Sequence, residues 1–289
     1  MTSERELPVF PISLSIPPEK IVGEVPAKHK LVAHIIPGKL STYIFENEKD
    51  YYEDYQKSYF AHTKKKAGYD CTRHLEILAN GCIHIFEDIE RIPENTMTHY
   101  PIDLLKEVYD LMKRNRFSRA NYDRYANRLL EWTRTNLTTV SMARYILRKT
   151  NHEHVRKILF ISEGGPDYLR CLTLIGLKEI FGEECYDYPK VEHVYTNYSG
   201  NIKDLYGKGI SYTKVVNEDH REDRAVPDLI SNHYFDIVIY GSIHRSSMFM
   251  DLVQKTYESD EIILLCGEDL HEDCVLNKYP YNHRFRREL

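Results

Sequence analysis

Apolar residues along this chain fall into short runs, and their spacing changes from period two to helical period and back. FPISLSIP before Pro17-Pro18, LVAHIIPG closed by Pro37-Gly38, and STYIF read as three short strands. ENEKDYYEDYQKSYF then places Tyr52, Tyr55 and Tyr59 at helical spacing and predicts a helix that buries a tyrosine stripe. SYFAHTKKKAGYD reads as a loop. The densest stretch follows from Tyr69 to Glu90, YDCTRHLEILANGCIHIFEDIE, and predicts a helix over Arg73–Asn80, a glycine stop and a strand over Cys82–Phe86. Leu75, Ile77, Leu78 and Ala79 put apolar side chains on more than one side of that helix, so it is read as buried. Glu76 stands among them, and a carboxylate there needs a partner or a ligand. Gly81 fits the position just past the helix, where a left-handed backbone costs little without a Cβ.

Three more helices are predicted, from Ile102, Leu105, Val108 and Leu111 at amphipathic spacing, then over about 121–135 and 140–148. Residues 151–157 read as a linker. A second α/β unit begins at KILFIS, turns at Gly164-Gly165, and continues as a helix from Pro166 with Leu169, Leu172, Gly176 and Ile180 on one face. VEHVY, DIVIYGS and EIILLCGED read as further strands, the last two separated by a helix over 246–257. Strands alternating with helices imply a mostly parallel sheet, whose ligands bind beyond the carboxyl ends of its strands. Those ends collect Glu163, Gly164, Gly165 and Asp167, then Gly241, Ser242, His244 and Arg245, then Gly267, Glu268 and Asp269. The Gly-Gly turn suits an anion or nucleotide cradle. Capping and turn formation favour the same residue types, so each group also has a purely structural reading. GxGxxG and Walker patterns are absent, which sets aside dinucleotide and P-loop chemistry.

The 289 residues suit one large or two ordinary domains, and the linker reading divides them at 1–150 and 151–289. Tyrosine dominates the aromatics, 23 against one tryptophan, which suits polar grooves as well as cores. No apolar run nears the ~20 residues that span a bilayer, and MTSERELPVF lacks the basic start and apolar block of a secretory signal. Six scattered cysteines without a CxxC pair suggest reduced thiols and a cytoplasmic protein. Residues 113–157 hold 12 Lys or Arg against three Asp or Glu, so within a net charge of −5 the remainder carries −14. That basic stretch reads as a solvated helix face or as help in holding phosphates. It lacks the basic and aromatic interleaving of a nucleic-acid groove.

The segment RHLEILANGCIHIF resembles the donor-binding motif of GT-B glycosyltransferases, most closely the exostosin-like and related groups. Their pattern is an Arg, a Glu a few residues on, a small residue, then Gly-Cys-Ile-Pro and a strand. Arg73, Glu76, Ala79, Gly81, Cys82 and Ile83 match, and His84 replaces the proline. The resemblance covers mainly residues 50–112. It implies two Rossmann-like parallel-sheet domains facing across a cleft; because the donor motif lies in the N-terminal half, either the order is permuted or the second domain serves another purpose. It implies Glu76 accepting the ribose hydroxyls of a UDP- or GDP-linked sugar, Arg73 and Gly81 beside it, and Ser58, Thr63 and the neighbouring lysines reaching a diphosphate. The expected function is transfer of a sugar to a glycan or small-molecule acceptor. His244 and Asp167 are candidate bases, and Arg245 and Arg73 candidate phosphate partners. No D-x-D triplet occurs, so no metal or other cofactor is expected. Two alternatives stand. One is a methyltransferase or other nucleotide-dependent enzyme using the Gly-Gly turn, with Glu268 and Asp269 on a ribose. The other is a non-catalytic interaction protein on a transferase fold. Within the motif, Glu76 also has a structural reading, an ion pair with Arg73 three residues earlier.

Overall fold

A computed structural model describes residues 7–165, 167–219, 225–269 and 275–289. It is an α/β structure with a six-stranded parallel sheet and a separate three-stranded parallel sheet. The small sheet runs β2 (Lys30–Val32), β3 (Ser58–Thr63) and β4 (Ile83–Phe86) in that order. Helix α1 (Glu48–Lys57) joins the first two, and Asn47 caps it by accepting from the Asp50 backbone N–H. Its buried tyrosines are Tyr51, Tyr52 and Tyr55. Helix α2 (Thr72–Ala79) joins the second pair and buries every residue from His74 to Ala79. Gly81 has φ +63°, and a Cβ there would lie 2.9 Å from Pro26 and 3.2 Å from the Val25 Cα. Both the backbone and the space therefore require glycine.

Helices α3 (Ile102–Lys113), α4 (Arg119–Asn136) and α5 (Thr139–Lys149) follow. The large sheet is ordered β1 (Val9–Ile12), β9 (His283–Arg287), β8 (Ile262–Cys266), β7 (Ile237–Tyr240), β5 (Ile158–Ile161), β6 (Cys185–Tyr188). Every residue of β5, β7 and β8 is buried, as expected for parallel strands covered on both faces. Period two divides them between two cores. Ile158, Phe160, Ile237, Ile239, Ile263 and Leu265 face the core shared with the N-terminal helices. Leu159, Ile161, Val238, Tyr240, Ile262 and Leu264 face one closed by α7 (Val226–Ser231) and α8 (Met250–Thr256). Helix α6 (Tyr168–Phe181) starts at the Asp167 cap, and Pro166 lies outside the described residues. At Gly176, α6 touches α5 so closely that a Cβ would fall 2.1 Å from the Thr139 carbonyl oxygen. Among the described residues, no helix is long and apolar enough to cross a membrane.

Several expected elements fall elsewhere. SYFAHT is β3 rather than loop, because Ser58, Phe60, Ala61 and Thr63 are buried between β2 and β4. VEHVY forms a 3-10 turn (Glu192–Val194), and the second strand of that unit is Cys185–Tyr188. STYIF contributes a 3-10 turn (Leu40–Thr42) and no strand. The boundary drawn at residue 150 does not separate the sheets: β1 pairs with β9, and α5 packs on α6.

Candidate functional site

Both sheets expose their carboxyl ends toward two adjoining cavities. The first, of about 320 Å³, is bounded on the small-sheet side by Thr63, Lys64, Lys66, Arg73 and Glu76. Tyr168, Tyr206, Lys208 and Ile210, from the C-terminal half, close the other side. Glu76 is only 3% exposed. Its partners are hydroxyls rather than Arg73: Tyr51 donates to Oε2 at 2.7 Å and Ser211 to Oε1 at 2.7 Å. Tyr55 donates to the Tyr51 hydroxyl at 2.8 Å, extending the chain of hydroxyls. Burial raises the Glu76 carboxyl above its ordinary pKa, while the two hydroxyls and the Arg73 charge oppose that shift. Each oxygen retains acceptor capacity beyond its one bond. Arg73 lies with its guanidinium carbon 5.3 Å from the Tyr43 ring centroid, and its buried Nε has no hydrogen-bond partner.

Two buried histidines hold α2 and β4 behind this wall. Burial lowers His74 to about 4, so the ring is neutral. Its Nε2 meets the Tyr69 carbonyl at 2.8 Å, which assigns the proton there and leaves Nδ1 to accept from the Thr63 hydroxyl at 3.0 Å. His84, where the motif has proline, is fully buried, and burial also pushes its pKa down. Tyr109 donates to the His84 carbonyl at 2.8 Å, so Nδ1 is the donor in its 2.9 Å contact with the Tyr109 hydroxyl. Nε2 then accepts from Tyr100 at 2.5 Å. His84 thus joins β4 to α3 and to the loop before it.

The second cavity, of about 350 Å³, shares Lys66, Cys71, Thr72, Tyr168 and Tyr206 with the first. Asp167, Arg245, Asp269, Arg287 and Asp70 line it further. Asp167 caps α6 through Oδ1, which accepts from the Arg170 N–H at 3.1 Å. Its Oδ2 is 3.2 Å from Arg245 Nε and 3.7 Å from His244 Nε2. The Gly267 N–H points at His244 Nδ1 from 3.4 Å, which places the imidazole proton on Nε2, toward Asp167. Burial lowers the His244 pKa and Asp167 opposes it. His244 therefore meets the Gly267 N–H through Nδ1, and its Nε2 lies near Asp167 but beyond hydrogen-bond distance.

Arg287, at the end of β9, ties the two halves together. It donates to the Gly267 carbonyl at 3.2 and 3.1 Å, to the Asp70 carbonyl at 2.9 Å and to Glu288 at 3.2 Å, and it pairs with Asp269. Glu288 also accepts from the Asp70 N–H at 2.7 Å. A Cβ on Gly68 would fall 2.3 Å from that carboxylate, so the approach of the 66–70 loop requires glycine. Asp70 Oδ2 accepts from the Leu14 N–H at 2.7 Å, and burial raises its carboxyl to about 6 against the pull of Arg287.

The residues singled out from sequence thus divide. Arg73, Glu76 and Thr63 line the first cavity; Asp167, Arg245 and Asp269 line the second, with His244 behind Asp167. Ser58 is buried at the other end of β3, donating to the Asp54 carbonyl at 2.6 Å, and does not reach a diphosphate. Gly81 stands at the opposite edge of the small sheet, as a helix stop. The Glu163, Gly164 and Gly165 carbonyls are occupied by the buried Arg170 guanidinium at 2.7, 3.2 and 2.7 Å. Glu163 itself accepts from Ser246 at 2.9 Å. Gly241 is small because a Cβ would fall 2.2 Å from the Phe160 ring. Ser242 is buried, and Glu268 is engaged by Cys266 Sγ at 3.4 Å. Sequence reasoning missed Asp70, Ser211, Tyr206, Lys208 and Arg287. Asp70 had a signal in its place three residues before Arg73; the others come from segments without periodicity.

Set against known proteins, the chain matches no family model, no curated protein and no solved structure.

Proposed function

We propose that this chain is a glycosyltransferase that holds the nucleotide of a UDP- or GDP-linked sugar in the first cavity. In this reading the two parallel sheets face each other across the joined cavities, as two Rossmann-like domains. One observation carries it. The first cavity sets a buried, hydroxyl-accepting carboxylate, Glu76, among the cations of Lys64, Lys66 and Arg73 and beside the rings of Tyr43 and Tyr206. Ring faces suit a base, a carboxylate suits a ribose diol, and cations suit a diphosphate. The sugar would extend past Thr72 and Tyr168 into the second cavity. There Asp167, held by Arg245 with His244 nearby, would take the proton of the acceptor hydroxyl as its oxygen attacks the anomeric carbon. The nucleoside diphosphate leaves with the bonding pair, and its charge falls on Arg73 and the lysines. Asp70 and Asp269 are the other carboxyls lining that cavity. The methyltransferase alternative would use the Gly-Gly turn, whose carbonyls accept from Arg170, and Asp269, which pairs with Arg287.

Titrating UDP, GDP and S-adenosylmethionine while following thermal unfolding tests the reading. A ligand at a hundredfold excess over its Kd stabilises by about 2.7 kcal/mol. A shift with either nucleotide, lost in Arg73→Ala, is expected. A shift with S-adenosylmethionine alone, or with none of the three, would overturn it.

A further inference from the structure

At the opposite, amino-terminal edge of the large sheet, three residues distant in sequence come together. His152 follows α5, Asp260 lies in the 3-10 turn Ser259–Glu261 that leads into β8, and His283 opens β9. One ligand atom from each lies within 4.8 Å of the other two. His283 Nε2 is 2.9 Å from Asp260 Oδ1, and Nδ1 of both His283 and His152 has no hydrogen-bond partner. Both histidines are only 8% exposed. Buried ring nitrogens without hydrogen bonds are costly unless something else fills their lone pairs. The two rings stand 5.4 Å apart at 89°, so their edges converge on one point instead of stacking.

We propose that His152, Asp260 and His283 bind a divalent transition metal of borderline softness, such as zinc, in a site separate from the proposed nucleotide cavity. Two imidazoles and one carboxylate are a donor set that zinc accepts, with bonds of about 2.0–2.1 Å and a fourth position for water. Ligand atoms around such an ion lie about 3.4 Å apart by tetrahedral geometry. The His283–Asp260 pair is already closer than that, and Asp260, with a side chain 67% exposed, is free to turn toward His152. The ion would fasten the segment after α5 to the first turns of β8 and β9. This explains why the sequence shows no metal motif: the ligands are 108 and 23 residues apart, and only the sheet brings them together.

Calorimetric titration of the full chain with Zn²⁺, after treatment with a chelator, tests the site. One ion per chain is expected, with a rise in thermal midpoint. Asp260→Asn, at an exposed position, should weaken binding at least about tenfold. His152→Gln and His283→Gln should do the same, and His154→Gln, which removes the exposed neighbouring ring, should not. The chain has 14 histidines, so equal binding by parent and Asp260→Asn would place the ion elsewhere and overturn the assignment. Absence of saturable one-to-one binding would overturn it as well.

Discussion

The two cavities at the carboxyl ends of the sheets are neighbours of similar size, and they differ in how their charges are matched. In the second, Asp167 faces Arg245, and Arg287 faces Asp269 and Glu288, so these charges are paired within the protein, although Glu288 Oε2 is buried without a hydrogen-bond partner. In the first, Glu76 is met by neutral hydroxyls, and Arg73 keeps a buried Nε with no hydrogen bond at all. Internally matched charges hold surfaces together; unmatched ones, kept at the wall of a cavity, suit a charged ligand. The difference separates a seam from a candidate binding site.

Removing Arg287 should have the largest effect. Arg287→Met leaves Glu288 and Asp269 without their cation and two carbonyls without a donor, at a cost of about 3–5 kcal/mol in stability. Denaturant unfolding of Arg287→Met beside Arg73→Met checks it. Equal losses in the two would erase the contrast between the cavities.

Asp70 sharpens it, because it is a seam carboxyl that burial opposes. Its folded pKa, about 6, lies above the ordinary 3.8, so the native state holds the proton more tightly than the unfolded one. The stability tied to that proton is fully present below about pH 4 and is lost as pH rises through about 6. Asp70→Asn keeps an oxygen for the Leu14 N–H and carries no charge. It should be more stable than the parent at pH 7 by about 2–3 kcal/mol, taking roughly 1.4 kcal/mol per pH unit. Stability measured from pH 4 to 7 should show the parent losing a component that the variant lacks. Parallel curves would mean that Asp70 is not strained.

Much of this arrangement was legible in the chain and some was not, for physical reasons. Helix α2, its glycine stop and β4 were readable because local apolar density and a required backbone conformation coincide at Leu75–Gly81. The core strands β5, β7 and β8 were readable as continuous apolar runs. Strand β9, HRFRR, was hidden: Arg284 and Arg287, on opposite faces, are buried while their guanidinium groups reach carbonyls and carboxylates, which no hydropathy pattern records. Its pairing with β1 joins the two ends of the chain, so the site's Arg287 was out of reach for any local signal. Glu76 was visible as a buried carboxylate, but not its partner Ser211, which lies 135 residues away in an irregular segment.

That partner changes what Glu76→Gln should do. The ligand-free carboxylate is covered by two hydroxyls rather than open to water, so a modest loss of stability is expected along with the binding effect. Losing a hydrogen bond to a charged group should weaken UDP or GDP binding by about 1.5–3 kcal/mol, roughly ten- to over a hundredfold in Kd. Unchanged nucleotide affinity with a lowered thermal midpoint would make Glu76 a structural residue and move the ribose site elsewhere.

The smallest expected effect is the most specific to the first cavity. Arg73→Lys keeps the positive charge at the wall but removes the planar fork, including the Nε that now has no partner. If that nitrogen is kept for a phosphate oxygen, the variant loses one hydrogen bond to the diphosphate while the attraction of charge persists. That is worth about 0.5–1.5 kcal/mol, roughly two- to twelvefold in Kd. The ammonium also loses the stacked contact with Tyr43, 5.3 Å from the guanidinium carbon, and with it some order in the free cavity. The two contributions separate by ligand. UMP and GMP, with one phosphate, should lose less affinity in Arg73→Lys than UDP and GDP if the fork reads the diphosphate. Equal losses for mono- and diphosphates would assign Arg73 to the Tyr43 contact alone, and the phosphate role would pass to Lys64 and Lys66.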